Sequence, residues 1–288
     1  MRVPSRSFLA FVLATFLLAA PGAARAQGEA VEEARPTLRP LQNTGAAFLG
    51  LESASAIAIF ATYSIAAGYP PESCTWCDPP GFDESLRDAL LFGKGFRKSA
   101  ATVSHVLSAG VIPAAAFTAL VVPALSQGKG SYALQDVWII INTVVLTAGV
   151  ADGTKKLVAR RRPAFHYGEE HDTEWGEYPL EQHLSFFSGD TSWAFSFAAS
   201  ASTLAFLRGN RLAPFIAAGG GALALGTGFL RIAADTHWAT DVLAGAVVGT
   251  GLGVAVPLLL HRPAECASAL RVSPWIGRTT GVAVALAL

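Results

Sequence analysis

A succession of long apolar segments is the feature that most constrains how this chain folds. The segments are 46–68, 101–126, 134–154, 191–207, 212–230 and 239–260. Most of them approach the roughly 20 residues that a helix needs to cross a bilayer. Only 15% of the residues are charged, whereas a soluble domain usually has about 25%. The sequence therefore predicts an all-α, polytopic membrane bundle of about five to six helices joined as helical hairpins.

The N-terminal 26 residues have the parts of a secretory signal peptide. Arg2 and Arg6 precede an apolar stretch at 8–20, and Ala24-Arg25-Ala26 is a small-residue cleavage site. An uncleaved anchor helix is the alternative. The predicted organisation is a signal peptide at 1–26, a linker at 27–45, a membrane-embedded domain at 46–262 and a C-terminal tail at 263–288.

The cysteines fit an exported protein. Cys74 and Cys77 lie in a Pro-rich loop, where an oxidising compartment would allow a local disulfide. A redox pair is the alternative, although no thioredoxin-like strand and helix surround it. Cys266 is left over, and we expect it to be inert.

Glycines and turn residues mark the C-terminal part of the chain. Gly245, Gly249 and Gly253 recur every four residues, which predicts a close-packing face on the last helix. In the tail, two apolar runs flank the polar residues 278–281, a pattern typical of a small β-hairpin. A disordered tail is the alternative.

Three polar clusters interrupt the apolar pattern at predicted helix ends. In the first, Lys155 and Arg162 are seven residues apart and project from nearly the same helix face before Pro163 ends the helix. In the second, Ser188 and Gly189 lie where a helix begins, and free backbone N–H groups there favour an anion. A positive-inside flank and a simple N-cap are the structural alternatives.

The third cluster combines Arg231, His237 and Asp241. His237 and Asp241 are four residues apart, so on a helix they share a face and the carboxylate can fix the imidazole tautomer. A structural pair is the alternative for this spacing alone. Two cationic sites, an anion-binding helix start and an acid-supported histidine together predict a phosphate pocket with a nucleophile.

These three clusters resemble the motifs of the type 2 phosphatidic acid phosphatase (PAP2) superfamily, KxxxxxxRP, PSGH and SRxxxxxHxxxD. The resemblance covers roughly residues 100–260. The first block matches fully, the second matches only at Ser188-Gly189, and Leu230 replaces the serine of the third.

The resemblance implies a membrane-bound phosphatase that needs no metal or cofactor. His237 would attack phosphorus to form a phosphohistidine, Asp241 would orient its other nitrogen, and water would hydrolyse the intermediate. The implied phosphate-binding residues are Lys155, Arg162, Ser188, Gly189 and Arg231.

Asp190 replaces the histidine that protonates the leaving oxygen in this family. An aspartate has an ordinary pKa near 3.9, and nearby cations would lower the pKa further, so Asp190 would be ionised. The substrate then has a better leaving group, or another histidine such as His166 or His183 serves as the acid. In a third reading the chain is a catalytically weak relative that binds a lipid phosphate.

We therefore expect hydrolysis of a lipid phosphomonoester or polyprenyl pyrophosphate, with a non-enzymatic lipid-phosphate binder as the alternative. The high apolar content disfavours a vanadate-dependent haloperoxidase or a secreted acid phosphatase. A transporter is disfavoured because the charges lie at helix ends. Zero net charge and the absence of a basic tail argue against nucleic acid as a partner.

Sequence-based topology contains a conflict. In this family the site usually faces away from the cytoplasm, but a cleaved signal peptide followed by three crossings would put Lys155 inside. The cations that flank the other helix ends argue for an outward-facing site: Lys129, Arg208, Arg211 and Arg262. We prefer a bacterial-type inner membrane protein in which 46–68 packs along the bundle without crossing, so that the site faces the periplasm or exterior.

Overall fold

The structure is a computed structural model that describes residues 37–66, 68–176, 178–263, 270–276 and 280–286. The predicted signal peptide at 1–26 and Cys266 lie outside the described residues. The helices are α1 (Ala46–Ala66), α2 (Gly81–Leu90), α3 (Lys94–Ser126), α4 (Gly130–Val158), α5 (Pro163–Tyr167), α6 (Gly189–Arg208), α7 (Ala213–Ala233) and α8 (Ala239–Leu260).

Five of these helices, α1, α3, α4, α7 and α8, are long and apolar enough to cross a membrane. The chain is a multi-pass membrane protein, and the predicted all-α bundle is confirmed. Helix α6 packs against α3, α4, α7 and α8 in the middle of the bundle. Its polar residues Ser192, Ser196 and Ser200 are fully buried. The serines of this helix therefore face the interior of the bundle.

The glycine stripe of α8 lies against the backbone of α6, as predicted. A methyl group added to Gly245 would lie 2.7 Å from the carbonyl oxygen of Ser188, and one added to Gly253 would lie 2.8 Å from that of Ser196. Gly249 faces Ser192 in the same way. The two helices therefore run parallel in close contact, and both begin at the same end of the bundle.

Helix α1 runs parallel to α4. Ser53 donates a hydrogen bond to Asn142 at 2.9 Å, and two to three turns later Ser64 donates to Asp152 at 2.8 Å. Residues 46 and 130 therefore lie at one end of the bundle. Helix α1 follows α4 along most of its own length and is apolar enough to cross with it. That 46–68 packs along the bundle without crossing stays a prediction.

The segment before α1 is tied to the bundle, and two further features lie outside the helices. Residues 37–45, assigned above to a linker, bury Leu38 and Leu41, and Arg39 N–H donates to the carbonyl of Arg208 at 2.9 Å. Cys74 and Cys77 form a disulfide. Beyond α8 in sequence, β1 (Leu270–Ile276) and β2 (Thr280–Leu286) pair antiparallel.

Candidate active site

The three polar clusters meet at the end of the bundle opposite residue 46. Lys155 lies in the last turn of α4, and Arg162 immediately precedes α5. Arg231 is in the last turn of α7. Asp235 then adopts a left-handed backbone conformation, with φ of 62°, so the chain turns sharply and His237 follows within hydrogen-bond reach of the Arg231 carbonyl.

The side chain of His237 is held as a neutral imidazole. Its Nδ1 lies 2.9 Å from the carbonyl oxygen of Ser185, which can only accept, so Nδ1 carries the proton. Its Nε2 accepts from Arg162 Nη1 at 3.1 Å and therefore has a lone pair. Burial lowers the pKa of His237 well below 6.5, and the charges of Arg162, Arg231 and Lys155 lower it further.

Asp241 is linked to His237 through Ser185, which donates its hydroxyl to Asp241 and accepts from His237 at its carbonyl. Asp241 Oδ2 is 3.6 Å from His237 Nδ1, beyond hydrogen-bond distance. The same oxygen accepts from the Ser185 hydroxyl at 2.5 Å and from the Trp238 N–H at 2.9 Å, while Oδ1 accepts from Arg160. This differs from the expected direct bond because α8 begins at Ala239, so Asp241 caps the first turn of its own helix.

Arg162 and Arg231 carry the positive charge of the site on buried side chains. Arg162 donates to the Glu181 carboxylate at 2.7 Å and to the Thr236 carbonyl at 2.9 Å. Arg231 Nη1 lies 2.9 Å from Glu174 and 3.3 Å from Asp190. Carboxylate oxygens therefore occupy the arginine faces that a phosphate would need.

Lys155 lies over the start of α6. A methyl group added to Gly189 would be 3.4 Å from Lys155 Nζ, so the ammonium group and the first-turn N–H groups of α6 share one space. Ser188 is the N-cap of α6 and accepts from Thr191 N–H at 3.4 Å and from the Thr191 hydroxyl at 2.8 Å. The site thus combines a lysine with a helix N-terminus, an arrangement that favours an anion.

Asp190 is an ionised carboxylate. Its Oδ1 accepts from the Ser108 hydroxyl at 2.6 Å and lies 3.0 Å from His105 Nδ1. Burial by itself would raise the pKa of Asp190, but Arg231 and the bonds from Ser108 and His105 lower that pKa to about 2. At neutral pH Asp190 therefore has no proton to donate.

Several residues of this site are outside what the sequence indicated. They are His105, Ser108, Glu174, Glu181 and the carbonyl of Ser185. None is in the matched blocks. Each contact joins residues at least 19 positions apart, so no local sequence pattern predicts these contacts. Among the described contacts, neither His166, which packs on Trp238, nor the buried His183 reaches Asp190.

Within the described part of the chain, no group of three or more His, Cys, Asp or Glu side chains is arranged to hold a metal ion. The charges that surround His237 come from Lys155, Arg162 and Arg231. Developing negative charge at this place would be stabilised by these side chains, in the way that cationic clamps stabilise a phosphoryl group during transfer.

Comparison with known proteins gives a family match over part of the chain. The PAP2 superfamily matches residues 136–264, which contain all three clusters and agree with the resemblance seen in the sequence. No curated protein matches.

Two solved structures are similar to this chain. One is a transmembrane PAP2 type phosphatidylglycerolphosphate phosphatase from Bacillus subtilis, with 18% identity and a TM-score of 0.45, covering 72% of this chain and 95% of that chain. The other is Aquifex aeolicus LpxE, with 21% identity and a TM-score of 0.35, covering 69% of this chain and 93% of that chain.

Proposed function

We propose that this chain is a membrane-embedded phosphatase of the PAP2 type. It removes phosphate from a lipid phosphomonoester or a polyprenyl pyrophosphate by way of a phosphohistidine at His237. The observation that carries the proposal is the neutral, buried imidazole of His237, whose unprotonated Nε2 lies 3.1 Å from Arg162. Lys155 and Arg231 add two further cations around the same ring.

Phosphate binding follows from the charges. Arg162 and Arg231 offer planar guanidinium groups, which bind phosphate oxygens through paired, charge-assisted hydrogen bonds. Lys155 and the first N–H groups of α6 offer further donors. The substrate phosphate displaces the carboxylates of Glu174 and Glu181, both of which are about 30% exposed and free to move aside.

The reaction then has two steps. Nε2 of His237 attacks phosphorus, a P–N bond forms, and the P–O bond to the lipid breaks with its electron pair on oxygen. Ser185 and Asp241 hold the imidazole while its positive charge develops. Water next attacks the phosphohistidine, the P–N bond breaks, and inorganic phosphate leaves. The cations stabilise charge in both transition states, usually a large contribution to catalysis.

A lipid substrate fits the position of the site. The site lies at one end of a bundle with five candidate spans, where a head group can reach the cations while the acyl or prenyl chain stays beside apolar helices.

We further propose that the site faces outward from an inner membrane. Several cations lie at the opposite end of the bundle: Lys129, Arg208, Arg211 and Arg262. We propose that α1 crosses beside α4. With that crossing, an outward-facing site is incompatible with a cleaved signal peptide at 1–26. We keep the outward-facing site because it places these cations inside.

The test is phosphate release by purified protein from phosphatidic acid, phosphatidylglycerophosphate and polyprenyl pyrophosphate. Wild-type protein should release phosphate from at least one of them, and His237→Ala should abolish release because it removes the nucleophile. Phosphate from labelled substrate should remain bound to wild-type protein through an acid-labile, base-stable bond that His237→Ala lacks.

His171→Ala is the matched control, because His171 is 84% exposed and its nearest charged contact is 3.9 Å away. Full activity of His237→Ala would show that another group attacks phosphorus.

A lipid-phosphate binder without turnover is the second candidate, and Asp190 is the observation that favours it. Asp190 is an ionised carboxylate at the position where the related motif has a proton-donating histidine. Binding of phosphatidic acid by protein that releases no phosphate from any of the three substrates would establish this candidate.

A further inference from the structure

A histidine from another helix lies against the carboxylate that replaces the motif histidine. His105 Nδ1 is 3.0 Å from Asp190 Oδ1, and Ser108 donates to the same oxygen at 2.6 Å. We propose that His105 is the general acid of this enzyme and that Asp190 is the residue that positions it. This inference rests on the proposed phosphatase function and names a catalytic residue outside the matched blocks.

Helix α3 is long enough to place His105 at the membrane surface. The helix has 33 residues and is about 50 Å long at 1.5 Å per residue, whereas the hydrocarbon core is about 30 Å thick. Roughly 13 residues therefore extend beyond it, and the polar residues of α3 are concentrated in its first turns, Lys94–Val106. His105 is in the last of these turns, at the level of the site.

A π-helical segment, Leu107–Val111, follows directly after this polar part of α3. Such segments widen the helix and change which side chains share a face, and they are frequent at functional sites. Ser108 lies in the segment and His105 lies just before it. Both side chains reach Oδ1 of Asp190 across more than 80 residues of sequence, so the local geometry of α3 serves this one carboxylate.

The pair has the charges that a proton donor needs. Asp190 is ionised, with a pKa lowered to about 2, and an ionised carboxylate can only accept, so His105 Nδ1 carries a proton. In the described part of the chain no residue makes a hydrogen bond to Nε2 of His105, whose side chain is 59% exposed. In the proposed role His105 carries a proton on Nε2 as well, so that one N–H stays on Asp190 and the other is available for a substrate.

Arg231 links this pair to the phosphate site. Arg231 Nη1 is 3.3 Å from Asp190 Oδ2, and its charge also acts on His237. Arg162 thus contacts the nucleophile, and Arg231 contacts the carboxylate that holds His105. In the proposed mechanism a phosphoryl group held by both arginines has its attacking and leaving atoms on different sides, as in-line displacement requires.

The proton balance of the two steps is complete. As the P–O bond breaks, the proton on His105 Nε2 passes to the leaving oxygen, the lipid alcohol departs, and His105 remains as the neutral Nδ1–H tautomer. When water attacks the phosphohistidine, Nε2 of His105 takes the proton that the water loses. His105 is then a cation again, and Asp190 remains ionised throughout.

The test compares substrates that differ in their need for protonation. With phosphatidic acid, whose leaving group is an alcohol, His105→Ala should lower kcat about 10²–10⁴-fold, the usual effect of losing a general acid. With p-nitrophenyl phosphate in the same detergent, the loss should be far smaller, because nitrophenolate leaves without a proton. His171→Ala should leave both rates unchanged.

Two further variants separate catalysis from packing. Asp190→His should restore part of the activity toward phosphatidic acid when it is placed in the His105→Ala protein, because it returns an acid to the motif position. Asp190→Asn, which keeps the shape and removes the charge that orients His105, should lower the rate with phosphatidic acid more than that with p-nitrophenyl phosphate.

Equal losses of His105→Ala on the two substrates, or no loss on either, would overturn the role of His105 and leave the phosphatase function standing. A wild-type protein that releases no phosphate from any substrate would instead overturn the function itself, and with it this inference.

Discussion

Arg160 and Arg162 are two residues apart and equally buried, yet the carboxylates that they bind differ in burial. Arg160 donates to Asp83 at 2.5 Å and also to Asp241, and both carboxylates are fully buried. It also stacks on Trp76 at 3.7 Å. Among the described residues Arg162 has one carboxylate partner, Glu181, which is 30% exposed.

The same contrast holds for the charge clusters around them. Asp235, at the turn that leads to His237, is fully buried between Arg87 at 2.6 Å and Arg97 at 3.0 Å. Both arginines also reach Glu169, which is 27% exposed. The carboxylate partners of Arg231 are Glu174 and Asp190, neither of which is fully buried. Burial of a charge does not by itself mark a functional residue. Arg87, Arg97 and Arg160 each bind a fully buried carboxylate, whereas the described carboxylate partners of Arg162 and Arg231 all reach solvent. We expect a phosphate to replace only a partner of the second kind.

The largest expected effect separates the two arginines directly. Arg160→Ala leaves two buried carboxylates uncompensated and should destabilise the fold by about 3–5 kcal/mol. Arg162→Ala should lower kcat/KM about 10²–10³-fold, as for loss of one charge-stabilising donor. It should cost less stability than Arg160→Ala, because its carboxylate partner Glu181 is 30% exposed. Burial already lowers the pKa of Arg162, an effect that Glu181 opposes.

Thermal unfolding in detergent and phosphate release measure the two effects. Arg161→Ala is the matched control, since its side chain makes no hydrogen bond within the described residues. If Arg162→Ala unfolds as readily as Arg160→Ala, the distinction between the two arginines fails.

A second effect is on the pH dependence of activity. Protonated His237 has no lone pair with which to attack, so activity falls as pH drops through its pKa. Because burial and three cations lower that pKa well below 6.5, kcat/KM for p-nitrophenyl phosphate should hold from pH 7 to 6.5 and decline only at lower pH. A decline centred at or above pH 6.5 would mean that His237 lacks this environment.

The smallest expected effect concerns the exchangeable partner. Glu181→Gln keeps the shape of the side chain and removes the charge that competes with substrate for Arg162. It should lower KM about 2- to 5-fold, the scale of a partly exposed ion pair. Glu170→Gln is the control, because its contact is with His171 at 3.9 Å. A rise in KM for Glu181→Gln would show that Glu181 supports binding.

Much of the site was predictable because its residues are grouped along the chain. The spacing of Lys155 and Arg162, the helix start at Gly189, and the turn before His237 are local features, and the glycines of α8 predict the close contact that aligns them. The bond from Asp241 to Ser185 was not predictable, since it depends on where α8 begins. The contact of His105 was not predictable either, because no residue near it in sequence indicates that it lies beside Asp190.

The sequence by itself determined that this is a membrane bundle, and it predicted an oxyanion site at the ends of its helices. Hydropathy and helix-end chemistry depend on residues within a few turns of one another. Only the tertiary structure decided that α1 follows α4, that Glu174 and Glu181 cover the arginines, and that His105 faces Asp190. These contacts join residues far apart in the chain. Helix packing determines which side chains meet, because small residues let helix backbones come close and the π-helical turn changes which side chains share a face.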